Sequence, residues 1–359
     1  MITRRKTRYS VSAPLRQYLY HFDRQREIPR IYNELGRFSG AVPYEDPSGT
    51  ETLWLTVMYP PEILEELRPG LTAIYSELKL GEDTTQHEHL VVDRIDFGDF
   101  GNSRPFRIRI TNLFNDNSDY FYVKHTDASR IYGLELEHIL SPNRINYLVN
   151  GNTLIEEHIA GVPGDVFLQN YLNEPNINQV RIAKEFTKFN ERTFIRLLGD
   201  MRSVNYIVDV TPDFEEVQYR VRAIDFDQQS YEGRGNTYLA FKFKSNRAIT
   251  KLALEFLNRK SIDQYVAEEH AQMARRAKVE SSRLRALLGI MRRDEIAPIQ
   301  HVATLAKELD RMHDTDHYSK CTSMGELTAM HISDMLDIEP TSPNLQSESG
   351  QEDHINHFP

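Results

Sequence analysis

The pattern of apolar and polar positions changes its period near residue 160. Upstream, from residue 90, short apolar runs are separated by glycine, asparagine and proline, which is typical of β-strands joined by turns. Downstream, apolar residues recur at helical spacing, as expected for helices with one buried face. The pattern therefore predicts an α+β protein in which a strand-rich part is followed by a mainly helical part.

The predicted elements follow this division. In the strand-rich part, the predicted strands cover residues 90–95, 106–113, 119–125, 144–149 and 153–159, and the predicted helices cover 62–80 and 127–140. In the helical part, helices are predicted over 165–172, 177–197, 247–257, 262–288, 296–312 and 326–336, and strands over 206–208 and 219–224. Residues 337–359 are rich in proline, serine, asparagine and glutamine, so a disordered tail is predicted there.

Length, charge and cysteine content narrow the class of protein. The chain has 359 residues, which suffices for two domains or one large two-lobed unit. Its net charge of −10 argues against general affinity for nucleic acid but is compatible with a local, metal-screened nucleotide site. The single cysteine, Cys321, excludes an internal disulfide and favours a reducing cytoplasm. No apolar run reaches the roughly 18 residues of a membrane span, so no membrane-spanning helix is expected.

Acidic and amide side chains are concentrated between residues 198 and 228. Asp200 is followed five positions later by Asn205 and a strand-like run, and a second strand-like run ends at Asp225. Two strands joined by a turn would bring these three side chains into one pocket. The set suits phosphoryl transfer, in which one aspartate orients or deprotonates a hydroxyl while an asparagine and another aspartate hold magnesium on nucleotide phosphates.

These residues resemble the protein-kinase-like superfamily, and most closely its small-molecule branch of aminoglycoside phosphotransferases and choline kinases. The catalytic loop of that family has an aspartate with an asparagine five residues later, which Asp200 and Asn205 match. The family's metal-binding aspartate lies in an Ile-Asp-Phe or Ile-Asp-Trp triplet, which residues 224–226 match, and the acidic Asp227 after it is similar to choline kinases. One departure is Leu198, which stands where the family usually has a histidine.

The resemblance implies ATP and Mg²⁺ as cofactors and assigns roles to the matching residues. Asp200 would be the catalytic base, and Arg202 would stabilise charge on the transferred phosphate. The implied metal-binding residues are Asn205, Asp225 and Asp227.

Further nucleotide contacts are implied upstream. Gly98 and Gly101, between two predicted strands, occupy the place of the glycine-rich loop that covers the phosphates. Lys124, near a strand end, matches the lysine that pairs with the nucleotide's inner phosphates. One of Glu135 and Glu137 in the following helix would pair with Lys124, and Glu135 is favoured because its apolar neighbours define the buried side.

The strand over 153–159 resembles the phosphotransferase hinge, so groups near Glu157, His158 and Ile159 would bind adenine. The implied fold is bilobal and protein-kinase-like, with an antiparallel-sheet N-lobe, a mainly helical C-lobe, an N-terminal extension and C-terminal helices. The corresponding division is an extension over 1–81, the N-lobe over 82–160, the C-lobe with extra helices over 161–336 and the tail over 337–359.

The predicted function is an ATP- and Mg²⁺-dependent transfer of the γ-phosphate to a hydroxyl-bearing substrate. A small molecule is favoured over a protein because no Ala-Pro-Glu segment follows residue 226, and a protein partner is compatible with this interpretation. Two alternatives stay open. A pseudokinase-like scaffold would keep the fold as a nucleotide-binding or interaction module without turnover, and Leu198 supports it. An unrelated α+β protein with a chance match would bind no nucleotide.

Overall fold

A computed structural model describes residues 6–46, 49, 51–80, 89–100, 102–212 and 217–339. An antiparallel sheet of seven strands, in the order β1-β2-β3-β4-β5-β7-β6, forms most of the N-terminal part. Its strands are β1 (Gly40–Glu45), β2 (Glu51–Met58), β3 (Leu90–Phe97), β4 (Phe106–Asn112), β5 (Asn117–His125), β6 (Tyr147–Asn150) and β7 (Thr153–Glu157). The helices of this part are α1 (Ala13–His21), α2 (Pro61–Leu80) and α3 (Ala128–Leu140).

The remainder of the described chain is mainly helical. It begins with β8 (Val162–Pro163), α4 (Gly164–Val166) and a π-helical turn (Phe167–Tyr171), and continues with α5 (Gln179–Ile195), β9 (Tyr206–Pro212) and β10 (Val217–Ala223). The later helices are α6 (Arg247–Phe256), α7 (Arg259–Val279), α8 (Ser281–Met291), α9 (Ile299–His313) and α10 (Met324–Leu336). Strands β8, β9 and β10 form a second, three-stranded sheet in the order β10-β9-β8. The predicted α+β class, with an antiparallel-sheet part followed by a mainly helical part, is confirmed.

One apolar core lies between the large sheet and α2. Burial alternates along β4, so that Ile108 and Ile110 face the core while the residues between them are partly exposed. The α2 residues that enter this core recur every three or four positions and are Leu67, Leu71, Ile74 and Leu78. This spacing explains why residues 61–80 form a helix that covers one face of the sheet.

A second core fills the helical part and also receives α1 and α3. Leu15 and Leu19 of α1 are fully buried in it. Every residue of α3 except His138 is buried, and the helix packs against α7 and α8. Because α3 follows β5 after a two-residue connection, the second core fixes a helix that starts directly at the large sheet.

The structure differs from the predicted elements in three places. The helix predicted over 262–288 is divided between α7 and α8 at Glu280, directly before Ser281 and Ser282, whose hydroxyls compete for main-chain hydrogen bonds. The helix predicted over 165–172 is a short α-helical turn followed by a π-helical turn. Strand β1 and helix α1, which the apolar pattern did not indicate, lie in the first 81 residues.

Elements of the first 81 residues belong to both cores, since β1 and β2 extend the large sheet while α1 packs with the helices. The four-segment division of the chain stays a prediction. Of the tail predicted over 337–359, residues 340–359 lie outside the described part of the chain.

Two glycines on neighbouring helices provide a matched test of the helical packing. A Cβ atom on Gly325, in α10, would overlap the main-chain carbonyl of Met291 at the end of α8, whereas one on Gly289 would meet no atom within 4 Å. We expect Gly325→Ala to lower the free energy of unfolding by about 1–3 kcal/mol because of overpacking. We expect Gly289→Ala to raise it by about 0.5–1 kcal/mol, as alanine favours the helix. Urea denaturation would measure both, and equal effects of the two variants would contradict this packing.

Candidate functional site

Charged side chains from the sheet and from α3 meet between the two parts of the molecule. In the register of β5 and β7, Tyr122 pairs with Glu156, two positions from Lys124, so Lys124 and Glu156 project from the same face. Lys124 Nζ donates to Glu156 Oε2 at 2.7 Å, and Arg130 of α3 donates to both oxygens of the same carboxylate. Glu156 thus binds two cations.

Arg130 extends this cluster to the loop after β10. Its Nη1 lies 2.7 Å from Asp225 Oδ1 and 2.7 Å from Asp227 Oδ1. The Arg130 side chain is only 1% exposed, whereas that of Asp225 is 35% exposed. One guanidinium therefore joins the strand glutamate to both predicted metal-binding aspartates, and Asp225 is the member that faces solvent.

A third buried cation, Lys6, approaches from the N-terminal segment. Lys6 Nζ donates to the Asp127 carboxylate at 3.0 Å and to the main-chain carbonyl of Asp227 at 2.6 Å. The main-chain N–H of Lys6 also donates to Asn102 in the β3–β4 connection. The whole cluster comprises four carboxylates, Asp127, Glu156, Asp225 and Asp227, and three cations, Lys6, Lys124 and Arg130.

The charged groups of this cluster shift one another's pKa values. Burial alone would raise the pKa of Glu156, but Arg130 and Lys124 lower it to about 2. Burial and the Arg130 charge lower the pKa of Lys124, and Glu156 opposes them. Desolvation and the Asp227 carboxylate raise the pKa of Asp225, while Arg130 and Lys124 act in the opposite direction. The exposed edge of the cluster is thus a carboxylate crowded by another carboxylate, an arrangement that favours an added cation.

The loop that carries Asp200 is held in a constrained conformation. Asp200 has a left-handed backbone with φ of 58°. Arg202 donates to both of its carboxylate oxygens, at 2.7 and 2.8 Å, and Asn205 Nδ2 donates to its main-chain carbonyl at 2.7 Å. The Asn205 carbonyl then accepts from the Ile224 N–H at 3.0 Å, one residue before Asp225. Hydrogen bonds therefore connect Asp200 to Asn205 and Asn205 to the residue before Asp225, and the predicted pocket shared by their three side chains stays a prediction.

Leu198, the residue that departs from the pattern described above, is fully buried. The loop is braced instead by the segment after Asp227, because Gly199 N–H donates to Gln228 O and Leu198 pairs with Gln229. The Gln229 side-chain amide also donates to the Arg196 carbonyl. Main-chain pairing and a buried glutamine thus perform the bracing at this position.

The oxygen atoms around Asp225 suit a small divalent cation. Within the described part of the chain, no hydrogen bond occupies Asn205 Oδ1 or Asp225 Oδ2. The described residues of the chain contain no group of three or more His, Cys, Asp or Glu side chains placed to hold a metal ion. Magnesium commonly uses one or two carboxylates together with substrate phosphates and water, so this sparse donor set fits it.

The expected partner of Lys124 is corrected by the structure. Glu135 lies in a separate buried cluster, where Tyr18 and Tyr147 donate to it and Arg283 binds it at 2.7 Å. Glu137 forms an ion pair with Arg196. Neither glutamate contacts Lys124, because both project toward the second core, in which α3 is buried. The prediction that Glu135 pairs with Lys124 was therefore wrong. The glutamate that pairs with Lys124 is Glu156 of β7.

The glycine-rich connection is only partly described. Gly98 N–H donates to Pro105 O at 2.8 Å, and the Phe100 ring lies so close that a Cβ on Gly98 would overlap it. Phe100 in turn packs edge-on against Trp54, with ring centroids 5.0 Å apart. Gly101 lies outside the described residues. Gly98 thus leaves space for the Phe100 ring, and contact of Gly98 with phosphate stays a prediction.

The predicted hinge follows β7. The Glu157 carboxylate accepts two hydrogen bonds from Asn146, and the His158 ring contacts the Tyr122 hydroxyl at 3.0 Å. Ile159 is buried in the second core. Phe121 is paired with Glu157 in the sheet, so His158 lies at the end of the β5–β7 ladder, and contact of this segment with adenine stays a prediction.

Sequence reasoning missed Arg130, Glu156 and Lys6. Arg130 could have been noticed, since it is the only lysine or arginine of α3 and the helix is otherwise largely apolar. Glu156 was missed because the partner of Lys124 was expected in the helix over 127–140, and the sequence does not reveal which face of β7 meets Lys124. Lys6 had no local signal, because it approaches across 121 positions from Asp127.

Comparison with known proteins finds no matching family model and no matching curated relative. Among solved structures, the chain is similar to titin kinase with its flanking domains, at 12% sequence identity and a TM-score of 0.27. The match covers 52% of this chain and 44% of that one, so this chain spans less than half of that structure. Similarity at this TM-score carries no argument about the site.

The described residues contain no helix long and apolar enough to cross a membrane.

The Glu156 ion pairs generate a pH-dependent prediction. Because the folded pKa of about 2 lies below the ordinary value of 4.5, the ionised carboxylate contributes stability above pH 4.5 that is lost as the pH falls toward 2. We expect Glu156→Gln to lower the free energy of unfolding by about 3 kcal/mol at neutral pH, since it removes the carboxylate bound by Lys124 and one of the three bound by Arg130. The difference from the parent should shrink near pH 3, as measured by urea denaturation.

Glu157→Gln is the matched control, because Glu157 is the next residue and its carboxylate faces Asn146 at the exposed edge. Its effect should be small at both pH values. A Glu156→Gln effect that stayed constant between pH 7 and pH 3 would contradict the ion-pair assignment.

Proposed function

We propose that this protein is an ATP- and Mg²⁺-dependent phosphotransferase that acts on a hydroxyl group of a small molecule. The observation that supports this most strongly is a continuous series of contacts through the candidate site. The series runs from Asp200 to Asn205 and from the Asn205 carbonyl to Ile224, the residue before Asp225. From Asp225 it continues through Arg130 and Glu156 to Lys124, so that it includes the side chains of Asp200, Asn205, Asp225, Arg130, Glu156 and Lys124. Four of these six side chains are those that a phosphotransferase would use as base, metal ligands and phosphate anchor.

In the proposed reaction, Asp200 accepts the proton of the attacking hydroxyl. Its carboxylate side chain is 25% exposed, which leaves it accessible to a substrate. Arg202, held beside it and 43% exposed, would turn toward the transferred phosphate and compensate its charge. This requires Arg202 to exchange its contact with Asp200 for one with phosphate.

ATP would supply the transferable phosphoryl group, and magnesium would compensate its charge. Asn205 Oδ1 and Asp225 Oδ2 are the oxygens that would hold the metal. Lys124 would face the inner phosphates, and its pairing with Glu156 fixes its direction. The segment over Glu157, His158 and Ile159, which follows the strand that carries Glu156, would bind adenine. Asp227 is buried against Arg130, which favours a supporting role in positioning over direct contact with the metal.

A specific observation also supports a second candidate, a nucleotide-binding scaffold without turnover. Both carboxylate oxygens of Asp200 are bound by Arg202, and one oxygen of Asp225 is bound by the buried Arg130. Arginine pairs of this kind compensate the charges that a base and a metal ligand need. If Arg202 did not release Asp200, nucleotide could bind without phosphate transfer.

Binding and turnover together separate these candidates. We expect ATP with magnesium to raise the thermal midpoint of the parent, with a stabilisation of about 2.7 kcal/mol at a ligand concentration 100-fold above Kd. Asp225→Ala should abolish the metal-dependent part of the rise, because it removes a proposed metal ligand. Asp200→Asn should keep the rise and lose phosphate transfer to a hydroxyl acceptor, measured as ADP formation.

Asp263→Ala is the control for loss of a carboxylate, since Asp263 is exposed in α7 and pairs only with Arg259 in the same helix. It should bind and react as the parent does. Binding without ADP formation across a panel of small hydroxyl compounds would favour the scaffold. No midpoint change in the parent would refute both candidates.

A further inference from the structure

A cavity of about 500 Å³ opens beside the N-terminal segment, and neither Asp200 nor Asp225 lines it. Three chain segments form its walls: residues 8–11 with Arg16 of α1, the end of β5 with Thr126, and the turn between β6 and β7 with Arg30 above it. Its basic lining residues are Arg8, Arg16, Arg30 and His125. Among the residues that the structure describes, no carboxylate lines the cavity, although the protein as a whole carries a net charge of −10.

The three arginines lack carboxylate partners. Within the described residues, Arg8 makes no hydrogen bond or ion pair, Arg16 donates only its Nε to the Val11 carbonyl, and Arg30 donates only its Nε to Asn150 Oδ1. The terminal guanidinium nitrogens of Arg16 and Arg30 are thus unoccupied. All three arginines are exposed, whereas the buried Arg130 and Arg192 are paired with carboxylates.

The turn between β6 and β7 leaves room for the Arg30 side chain. Gly151 has a left-handed backbone with φ of 59°, and a Cβ there would lie 3.1 Å from Arg30 Nε. The Thr126 hydroxyl donates to the Gly151 carbonyl, and Asn150 Nδ2 donates to the Ile28 carbonyl, so both sides of the turn are fixed. Arg30 is consequently held over a rigid turn while its terminal nitrogens stay available.

This lining indicates the ligand's chemistry. Arginine forks match the oxygens of phosphate, and several arginines that line one cavity without carboxylate partners favour a multiply charged anion. A cavity of about 500 Å³ falls within the range of small-molecule sites and exceeds what a single phosphate fills. We propose that this cavity binds a small molecule with two or more phosphate groups, which Arg8, Arg16 and Arg30 recognise together.

The cavity is distinct from the proposed nucleotide site but adjoins residues that contact the charged cluster of that site. His125 directly follows Lys124 in β5, and Tyr9 N–H contacts the Asp127 carboxylate that Lys6 binds. The two sites therefore share a boundary without sharing a lining residue. Binding at one is testable without the other.

Tripolyphosphate is the probe, titrated calorimetrically into the full chain at about 150 mM salt, where screening suppresses weak surface attraction. EDTA removes divalent cations, so that magnesium-dependent nucleotide binding is absent. We expect saturable binding by the parent. The Arg8→Gln/Arg30→Gln variant should bind at least about tenfold more weakly, because two charge-assisted contacts are lost.

The matched control is Arg259→Gln/Arg285→Gln, which removes the same charge from exposed positions in α7 and α8. It should bind as the parent does. Because Arg8 and Arg30 are exposed, their variant should unfold at the parent's thermal midpoint without ligand, which is checked before titration.

Three results would overturn the proposal. They are a parent Kd weaker than about 1 mM, equal affinity of the Arg8→Gln/Arg30→Gln variant and the parent, and equal weakening in the control. Binding of a singly phosphorylated peptide in place of tripolyphosphate would likewise refute a small polyphosphate ligand.

Discussion

The arrangement of the candidate site depends on the buried guanidinium of Arg130. It joins Glu156 of the large sheet to Asp225 and Asp227, which follow the second sheet, and so connects the two parts of the molecule. A buried charge is tolerated only when it is paired and hydrogen-bonded, and Arg130 is paired with three carboxylates. Its loss would leave Asp227 and Glu156 buried with less compensation, so the position of the β10 loop relative to the sheet depends on this residue.

Helix α3 can carry this guanidinium because it is fixed from several directions. Its remaining polar side chains are bound as well: Glu135 by Arg24, Arg283 and two tyrosines, and Glu137 by Arg196. These contacts reach α1, α5, α8 and β6, so the helix is tied to elements on both sides of the site. A rigid support of this kind holds a site's charged groups within the narrow tolerance that binding of phosphate requires.

The fold class and the loop around Asp200 could be predicted, since both rest on local patterns. Apolar periodicity indicated β4 and α5, and the spacing of Asp200 and Asn205 indicated a shared pocket. Contacts set by register or by distant segments could not be predicted. Whether Glu156 or Glu157 faces Lys124 depends on how β5 and β7 align, and a shift by one residue exchanges the two. Lys6 reaches Asp127 through the path of the N-terminal segment, which leaves no periodic signal.

The positions of Glu156 on β7 and Arg130 on α3 affect how a metal would bind at Asp225. A glutamate on the strand keeps Lys124 paired, while the arginine on the helix already compensates part of the negative charge of Asp225. A cation at Asp225 Oδ2 would therefore bind a carboxylate whose field is weakened by Arg130 on its other oxygen. The crowding by Asp227 acts in the opposite direction and raises the cost of leaving Asp225 ionised without a second cation. The balance between these two buried neighbours, and not the exposed residues of the loop, determines how strongly a metal would be held.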